Sequence, residues 1–488
     1  MRLHAYFAFA ATLSASLAPA QSPAYLATGI KLVEPGAHEI TIWVRTTSVP
    51  HPALIDGPLP LTRLIDPQTQ QEIVPHDNHA YPDNRAQVSL PEGVRWEDIC
   101  GAAPAQAGEV RARYRLANDV QAAWIITPWQ ATDPSRDCTA LIRLKDLQPG
   151  SRYSLLVESR GLEGTAVDAS LPGGFDTVPF PTADVSVRFC IMTCEQFEDR
   201  DDDGGFKIYR SMLRLKPAFM VNTGDAVYYD HGPVKAINRD LARYKWARMF
   251  GLASLRDFYR QIDSYFLKDD HDTLADDAEP GESSGDLSFA DGQLIFREQT
   301  GLPLPPYRTA RWGRHLQVWL MEGRDYRAEV GGREQAPTIW GEAQIEWLEK
   351  SLQASDAEYR VVITPSPVVG PDQARKADNY ANDRFAVEGQ RIRAMLARHK
   401  NLVVVTGDRH WQYVSVDPAS GLEEWSVGAA SDAHAGGWNE TTPRPMHRFL
   451  RTGFGGFFSG EIVASGAGAR LILRLHDCDG KVVYEETR

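Results

Sequence analysis

Two short segments place a glycine and an aspartate directly after an apolar run. Asn222-Thr-Gly-Asp-Ala-Val-Tyr-Tyr229 follows Phe219-Met-Val221, and Thr406-Gly-Asp-Arg-His410 follows Leu402-Val-Val-Val405. In the first, Gly224 permits a tight turn, and Asp225 stands at a strand end with a carboxylate able to bridge two cations. Tyr228, three residues on, can bind only a strongly Lewis-acidic ion such as ferric iron, because a phenol with a reference pKa of about 10 must first lose its proton. In the second, Asp408 and His410 occupy positions i and i+2 of an extended chain and so point the same way. A single Gly-Asp pair is commonplace as a turn or a helix cap. Two at strand ends, one with Tyr at i+3 and one with His at i+2, argue for a metal centre.

Two more segments carry candidate ligands. Lys268-Asp-Asp-His-Asp272, with Asp276 and Asp277 beyond it, crowds carboxylates that must be solvated or neutralised by a cation. Alone, such a run reads as a solvated acidic loop. Cys194, in Met192-Thr-Cys-Glu195, follows another apolar run; taken singly it reads as a core thiol, as does Cys190 on the run itself. A bridge between those two is disfavoured, because a strand holds them far apart.

The elements that must position these groups are near-continuous apolar strands: Arg188–Met192, Ala218–Val221, Leu316–Leu320, Arg360–Ile363 and Asn401–Val405. Helical spacing separates them over Phe206–Lys216, Asp240–Tyr265, Trp340–Ala354 and Asp383–His399. Strands alternating with helices predict a layered α/β domain with its chemistry at the C-terminal strand ends. Glu279–Leu287 and Gly301–Tyr307 read as long loops able to cover a site. Before this region, Glu39–Arg45, Ala122–Ile126, Thr139–Leu144 and Leu155–Val157 alternate with turn residues and predict an antiparallel sandwich. Its Leu147-Gln-Pro-Gly-Ser-Arg-Tyr153 is similar to the strand-turn-strand corner of fibronectin type III domains, where the tyrosine packs over the turn.

Composition limits the alternatives. The chain has 488 residues, 52 Lys+Arg against 65 Asp+Glu and a formal charge of -13. Roughly 150 residues per domain gives two or three globular domains, and the composition excludes collagen, coiled coil and wholesale disorder. An acidic surface repels phosphate backbones, so no nucleic-acid scaffold role is expected, and an anionic substrate needs a local basic or metal-rich pocket. Arg2 and His4, the apolar run Ala5–Leu17 and Ala18-Pro19-Ala20 form an export signal cut after Ala20, which places the protein in the periplasm or outside the cell. No later stretch approaches roughly 20 uninterrupted apolar residues, so no membrane span is expected. Of five cysteines at least one must be unpaired; Cys100 and Cys138 are either bridged or free.

Taken in order, Cys194, Gly224-Asp225-x-x-Tyr228, Asp269-Asp270-His271-Asp272, Tyr307-Arg308-x-x-x-Trp312-Gly313, Gly323-Arg324-x-x-Arg327 and Gly407-Asp408-x-His410 resemble the PhoD-type alkaline phosphatases and phosphodiesterases of the calcineurin-like metallophosphoesterase superfamily. The resemblance implies an α/β catalytic fold over 185–488, a calcineurin-like β-sandwich flanked by helices, preceded by an all-β fibronectin III/Ig-like sandwich over 21–184. It implies two metal ions, ferric iron and calcium, with zinc or manganese as alternatives. Cys194, Asp225, Tyr228 and His410 resemble the iron ligands; Asp225 as the bridge, Asp270 and Asp408 resemble the ligands of the harder cation. That division follows ligand softness. Glu322-Gly-Arg324 stands where many members have Asp-Thr-Arg, and Asp272 where many have Glu, which leaves the substrate unassigned.

The expected reaction is hydrolysis of a small phosphate ester, with a hydroxide held between two metals attacking phosphorus in line. Arg324 and Arg327 are expected to meet the developing equatorial charge, and His271 either to protonate the leaving oxygen or to steer the phosphate. His434 is a weaker candidate for the same task and reads first as a loop histidine, and Tyr380 reads as a residue near the entrance without a role. The competing readings are a phosphotriesterase or sulfuric-ester hydrolase on the same site, or a non-catalytic exported protein that binds glycans through its 12 Trp. Oligomeric state is not legible.

Overall fold

The computed structural model of the chain describes residues 22–65, 69, 71–73, 86–328, 337–373, 375–440, 442–466 and 468–488. The export signal and its cut after Ala20 lie outside the described residues.

Two large sheets face each other across the main core. One has nine strands, among them the parallel trio Val187–Met192, Phe219–Asn222 and Asp263–Phe266, with Phe457–Ala464, Ala469–His476 and Val482–Thr487 added antiparallel at one side. The other has seven and is built around parallel Leu316–Leu320, Tyr359–Thr364 and Leu402–Thr406. The apolar runs are continuous because both faces of these strands are covered. Val361, Val403 and Val405 point into the space between the sheets with Ile191, Val221 and Leu320. Val362 and Val404 point the other way, onto the helices Glu342–Ala354 and Ala386–Leu396. The nine-stranded sheet is covered by Lys207–Leu215, Arg239–Phe250, Ala253–Tyr259 and Phe289–Thr300. At roughly 1.5–3 kcal/mol per fully buried aliphatic side chain, these layers supply the rigid base beneath the site.

The N-terminal region has the alternating pattern of an antiparallel sandwich. Gly108–Leu116 buries every second residue at its start, and Val110, Ala112, Val157 and Phe175 pack against Leu32, Ile42 and Ile142 of the facing strands. At the corner, the Gln148 amide donates to the Tyr153 hydroxyl at 2.8 Å, and the Tyr153 ring stacks on Phe175. One sheet of this sandwich does not close on itself. Ile30–Val33 pairs parallel to Asp263–Phe266 through Val33 and Ser264, so Ile30–Val33, Ile40–Arg45 and Thr139–Leu144 extend the nine-stranded sheet.

Two expectations need correction, and one open alternative closes. The helix read over Asp240–Tyr265 breaks at Gly251, whose amide caps Ala247, and its last residues form the fully buried strand Asp263–Phe266. Strand pairing on both sides of that segment overrides its helical spacing. Ala122–Ile126 reduces to the two-residue strand Ile125–Ile126, since both side chains are exposed. All five cysteines are free, so the Cys100–Cys138 bridge does not form; the Cys100 thiol instead donates to the Ile55 carbonyl at 2.9 Å.

Candidate metal centre

Three candidate ligands sit in strained backbone two or three residues past strand ends. Cys194, Asp225 and Asp408 have φ of 55°, 54° and 62°, a left-handed conformation that non-glycine residues adopt at a cost of order 1–3 kcal/mol each. Neighbouring glycines let these turns close. A Cβ on Gly224 would fall 2.6 Å from the Asp269 Cβ, and one on Gly407 would fall 2.4 Å from the Thr223 hydroxyl. The two Gly-Asp segments therefore need glycine for close approach between loops.

The sequence candidates converge. Ligand atoms of Cys194, Asp225 and His410 lie within 4.8 Å of one another, as do those of Asp225, Asp270 and His271, and those of Asp225, Asp269 and Asp408. Asp225 belongs to all three sets. Its Oδ2 is 3.3 Å from the Cys194 sulfur and 3.5 Å from the Tyr228 hydroxyl, which in turn is 3.3 Å from His410 Nε2. One carboxylate thus stands between a sulfur, phenol and imidazole group and an all-carboxylate group.

Several of these oxygens are buried with no hydrogen-bond partner: Asp225 Oδ1, Asp269 Oδ2 and Asp270 Oδ1. A buried carboxylate oxygen left without a partner costs a few kcal/mol, and one or two cations remove that cost for all three. Burial, and then the neighbouring Asp270, drive the Asp225 carboxyl well above the usual range. Burial likewise raises Cys194, with Asp225 adding to it, and Tyr228, with Cys194 adding to it. A metal ion reverses each of these effects by favouring the deprotonated ligand. His410 is pushed well below its usual value by burial and by His434 and His271, which keeps its ring neutral and able to coordinate.

His271 stands beside this group. Burial opposes its charge, but Asp230, Asp270 and Asp225 together outweigh burial and raise its pKa. The Asp230 carboxylate takes Nδ1 at 2.8 Å, which leaves Nε2 directed away from that pair. Asp272 is not placed as a ligand: it accepts from the Ala226 and Asp269 amides and ties the two acidic loops together.

The two arginines differ. Arg324 is fully buried, and its Nε donates to Asp269 Oδ1 at 2.6 Å. Arg327 donates only Nε, to the Gly323 carbonyl, and both terminal nitrogens are buried without a partner. Tyr380 is buried structure, its hydroxyl accepting from the Trp340 amide. A cavity of about 830 Å³, lined by residues such as Arg143, Arg239 and Leu302, contains none of these groups.

The sequence reading gave Asp269 no role and ranked His434 low. Asp269 joins the cluster next to Asp270; its place in an acidic run gave no sign of which carboxylates face inward. His434 reaches the Tyr228 hydroxyl at 2.8 Å. Its only sequence signal was Ser431-Asp-Ala-His434, which reads as a loop.

Residues 295–433 match the family model for PhoD-like phosphatase. Among solved structures, the chain is similar to one described as the structure of PhoD, with 16% identity, 97% of this chain and 90% of that chain covered, and a TM-score of 0.67. It is also similar to the purple acid phosphatase PPD1 of yellow lupin (Lupinus luteus), with 13% identity, 96% and 74% coverage and a TM-score of 0.61. Both likenesses are of fold. No curated protein sequence matches the chain.

Proposed function

We propose that the chain is a PhoD-like phosphoesterase, an exported hydrolase of small phosphate esters working through a dinuclear metal centre. The observation that carries this reading is the meeting of three buried carboxylate oxygens that accept no hydrogen bond, on Asp225, Asp269 and Asp270, beside Cys194, Tyr228 and His410. Cys194, Asp225, Tyr228 and His410 would hold the softer ion, with ferric iron first and zinc or manganese as alternatives. Asp225, Asp270 and Asp408, joined by Asp269, would hold the harder one, with calcium first. When bound, such a pair supplies Lewis acidity toward phosphoryl oxygens and a water of lowered pKa.

The chain's own groups divide the remaining work. Arg327 offers two uncommitted guanidinium nitrogens to the equatorial oxygens of the phosphoryl group. Arg324 keeps Asp269 oriented and lies 3.6 Å from Asp270, so it acts on the ligand loop. His271, held through Nδ1 by Asp230, keeps Nε2 to pass a proton to the departing oxygen.

Two measurements test the proposal. Elemental analysis of purified protein should give stoichiometric metal, whereas a glycan-binding module should hold none. Rates on a matched monoester, diester, triester and sulfate should favour a mono- or diester; preference for the triester or the sulfate would overturn the substrate assignment. Export is tested by N-terminal sequencing, which should begin at Gln21.

A further inference from the structure

Four imidazoles surround the Tyr228 ring, and they do not touch it in the same way. His271 stacks on its face at 4.2 Å between ring centroids, and His231 meets it edge-on at 5.1 Å. His410 Nε2 lies 3.3 Å from the hydroxyl, whereas His434 Nε2 makes the shorter contact, at 2.8 Å. The other nitrogen of His434, Nδ1, is 2.8 Å from Asp199 Oδ2. A carboxylate on Nδ1 fixes the ring's orientation and tautomer, so Nε2 is aimed at the phenol oxygen. One proton bridges the 2.8 Å contact whichever atom carries it.

This contact is built into the backbone on both sides. Asp199 ends a one-turn helix five residues beyond Cys194. The loop leading to His434 is paired to the Cys194 segment: Thr193 and Ala429 form a parallel bridge, and the Ala430 amide donates to the Cys194 carbonyl at 3.1 Å. Asp432 within the loop accepts from the Gly455 amide at 2.9 Å. Asp199 and His434 are therefore held in place by the same segment that presents Cys194.

We propose that the Asp199–His434 pair is a positioning device for Tyr228, holding its oxygen toward Cys194, Asp225 and His410 and fixing its geometry at the softer ion. The proposal rests on the reading of Tyr228 as a ligand. The position of the Tyr228 oxygen is set by two side-chain rotations, so the 2.8 Å contact with His434, beside the longer one with His410, restricts both.

The test uses full-length protein loaded with ferric iron, as wild type and as the variants His434→Ala, His434→Gln, Asp199→Asn and Tyr228→Phe. Bound iron and the visible tyrosinate-to-iron band are measured, with melting curves to confirm that each variant folds. Loss of a hydrogen bond raises the donor level of the phenolate, so His434→Ala should shift the band to longer wavelength and weaken iron retention roughly tenfold to a hundredfold. Asp199→Asn should shift it the same way by less, His434→Gln should restore part of the shift through its amide donor, and Tyr228→Phe should abolish the band. A wild-type band left unmoved in His434→Ala, with unchanged iron retention, overturns the positioning role alone. An iron-loaded wild type with no band overturns the phenolate reading, and this inference with it.

Discussion

Arg324 and Asp269 form a fully buried ion pair, Nε donating to Oδ1 at 2.6 Å, across 55 residues of sequence. The arginine expected to receive substrate is thereby committed to a carboxylate of the candidate metal centre, and Arg327 is left with free guanidinium nitrogens.

The two arginines should consequently fail differently. Arg327→Ala should keep its metals and lose about a hundredfold to a thousandfold in kcat, the usual loss of about 2.7–4 kcal/mol for one transition-state donor. Lys at that position should restore only part, since it keeps charge but not the planar fork. Arg324→Ala leaves Asp269 buried and unpaired, so it should cost about 3–5 kcal/mol of stability and loosen the harder ion. Steady-state kinetics, metal analysis and urea unfolding separate the two. An Arg324→Ala enzyme with normal stability and metal content but low kcat would return the clamp to Arg324.

Asp225 belongs to all three ligand sets that make up the centre. Asp225→Asn should abolish hydrolysis and deplete both ions, measured by elemental analysis after exhaustive dialysis. Depletion of only one ion with activity largely kept would remove the bridging role.

Cys194 and Cys190 are both fully buried but have different neighbours. The Cys194 sulfur lies 3.3 Å from Asp225, whereas Cys190 packs in the helix-covered core with a thiol that burial pushes far above its usual value. Cys194→Ser should selectively empty the softer site, because a hydroxyl replaces thiolate poorly. Cys190→Ser should keep metal and instead lower the unfolding midpoint. Equal metal loss in both variants would show that Cys194 acts only through packing.

Lys245 gives a pH signature. Its Nζ donates to the Tyr228 and His231 carbonyls at 2.5 Å each, and burial, aided by Arg248, lowers its pKa to about 7. Between pH 7 and the ordinary lysine value of about 10.4, the unfolded chain binds this proton and the folded chain does not. Stability from this group therefore rises with pH across that window, by at most about 1.4 kcal/mol per unit. Wild type should gain stability over Lys245→Met from pH 7 to 9.5 in urea titrations. Parallel curves for the two proteins would show that Lys245 is not neutral when folded.

What the sequence determined by itself was local. Leu402-Val-Val-Val405 had to be buried on both faces, because an uninterrupted apolar strand leaves no face for water. Each Gly-Asp that follows such a strand had to turn there, and the tyrosine corner was legible from seven consecutive residues. The tertiary structure decided everything that depends on one segment meeting another. His434 reaches Tyr228 across 206 residues, Arg324 turns to Asp269, and Val33 joins Ser264 so that N-terminal strands extend the catalytic sheet. The acidic run at 268–272 shows the boundary within five residues. Its composition announced a charge cluster, but which carboxylate faces the centre and which ties two loops together depends on where Ala226 and Arg324 stand. Side-chain periodicity is set by bonds along the chain, whereas the partner of a buried charge is set by the packing of distant layers.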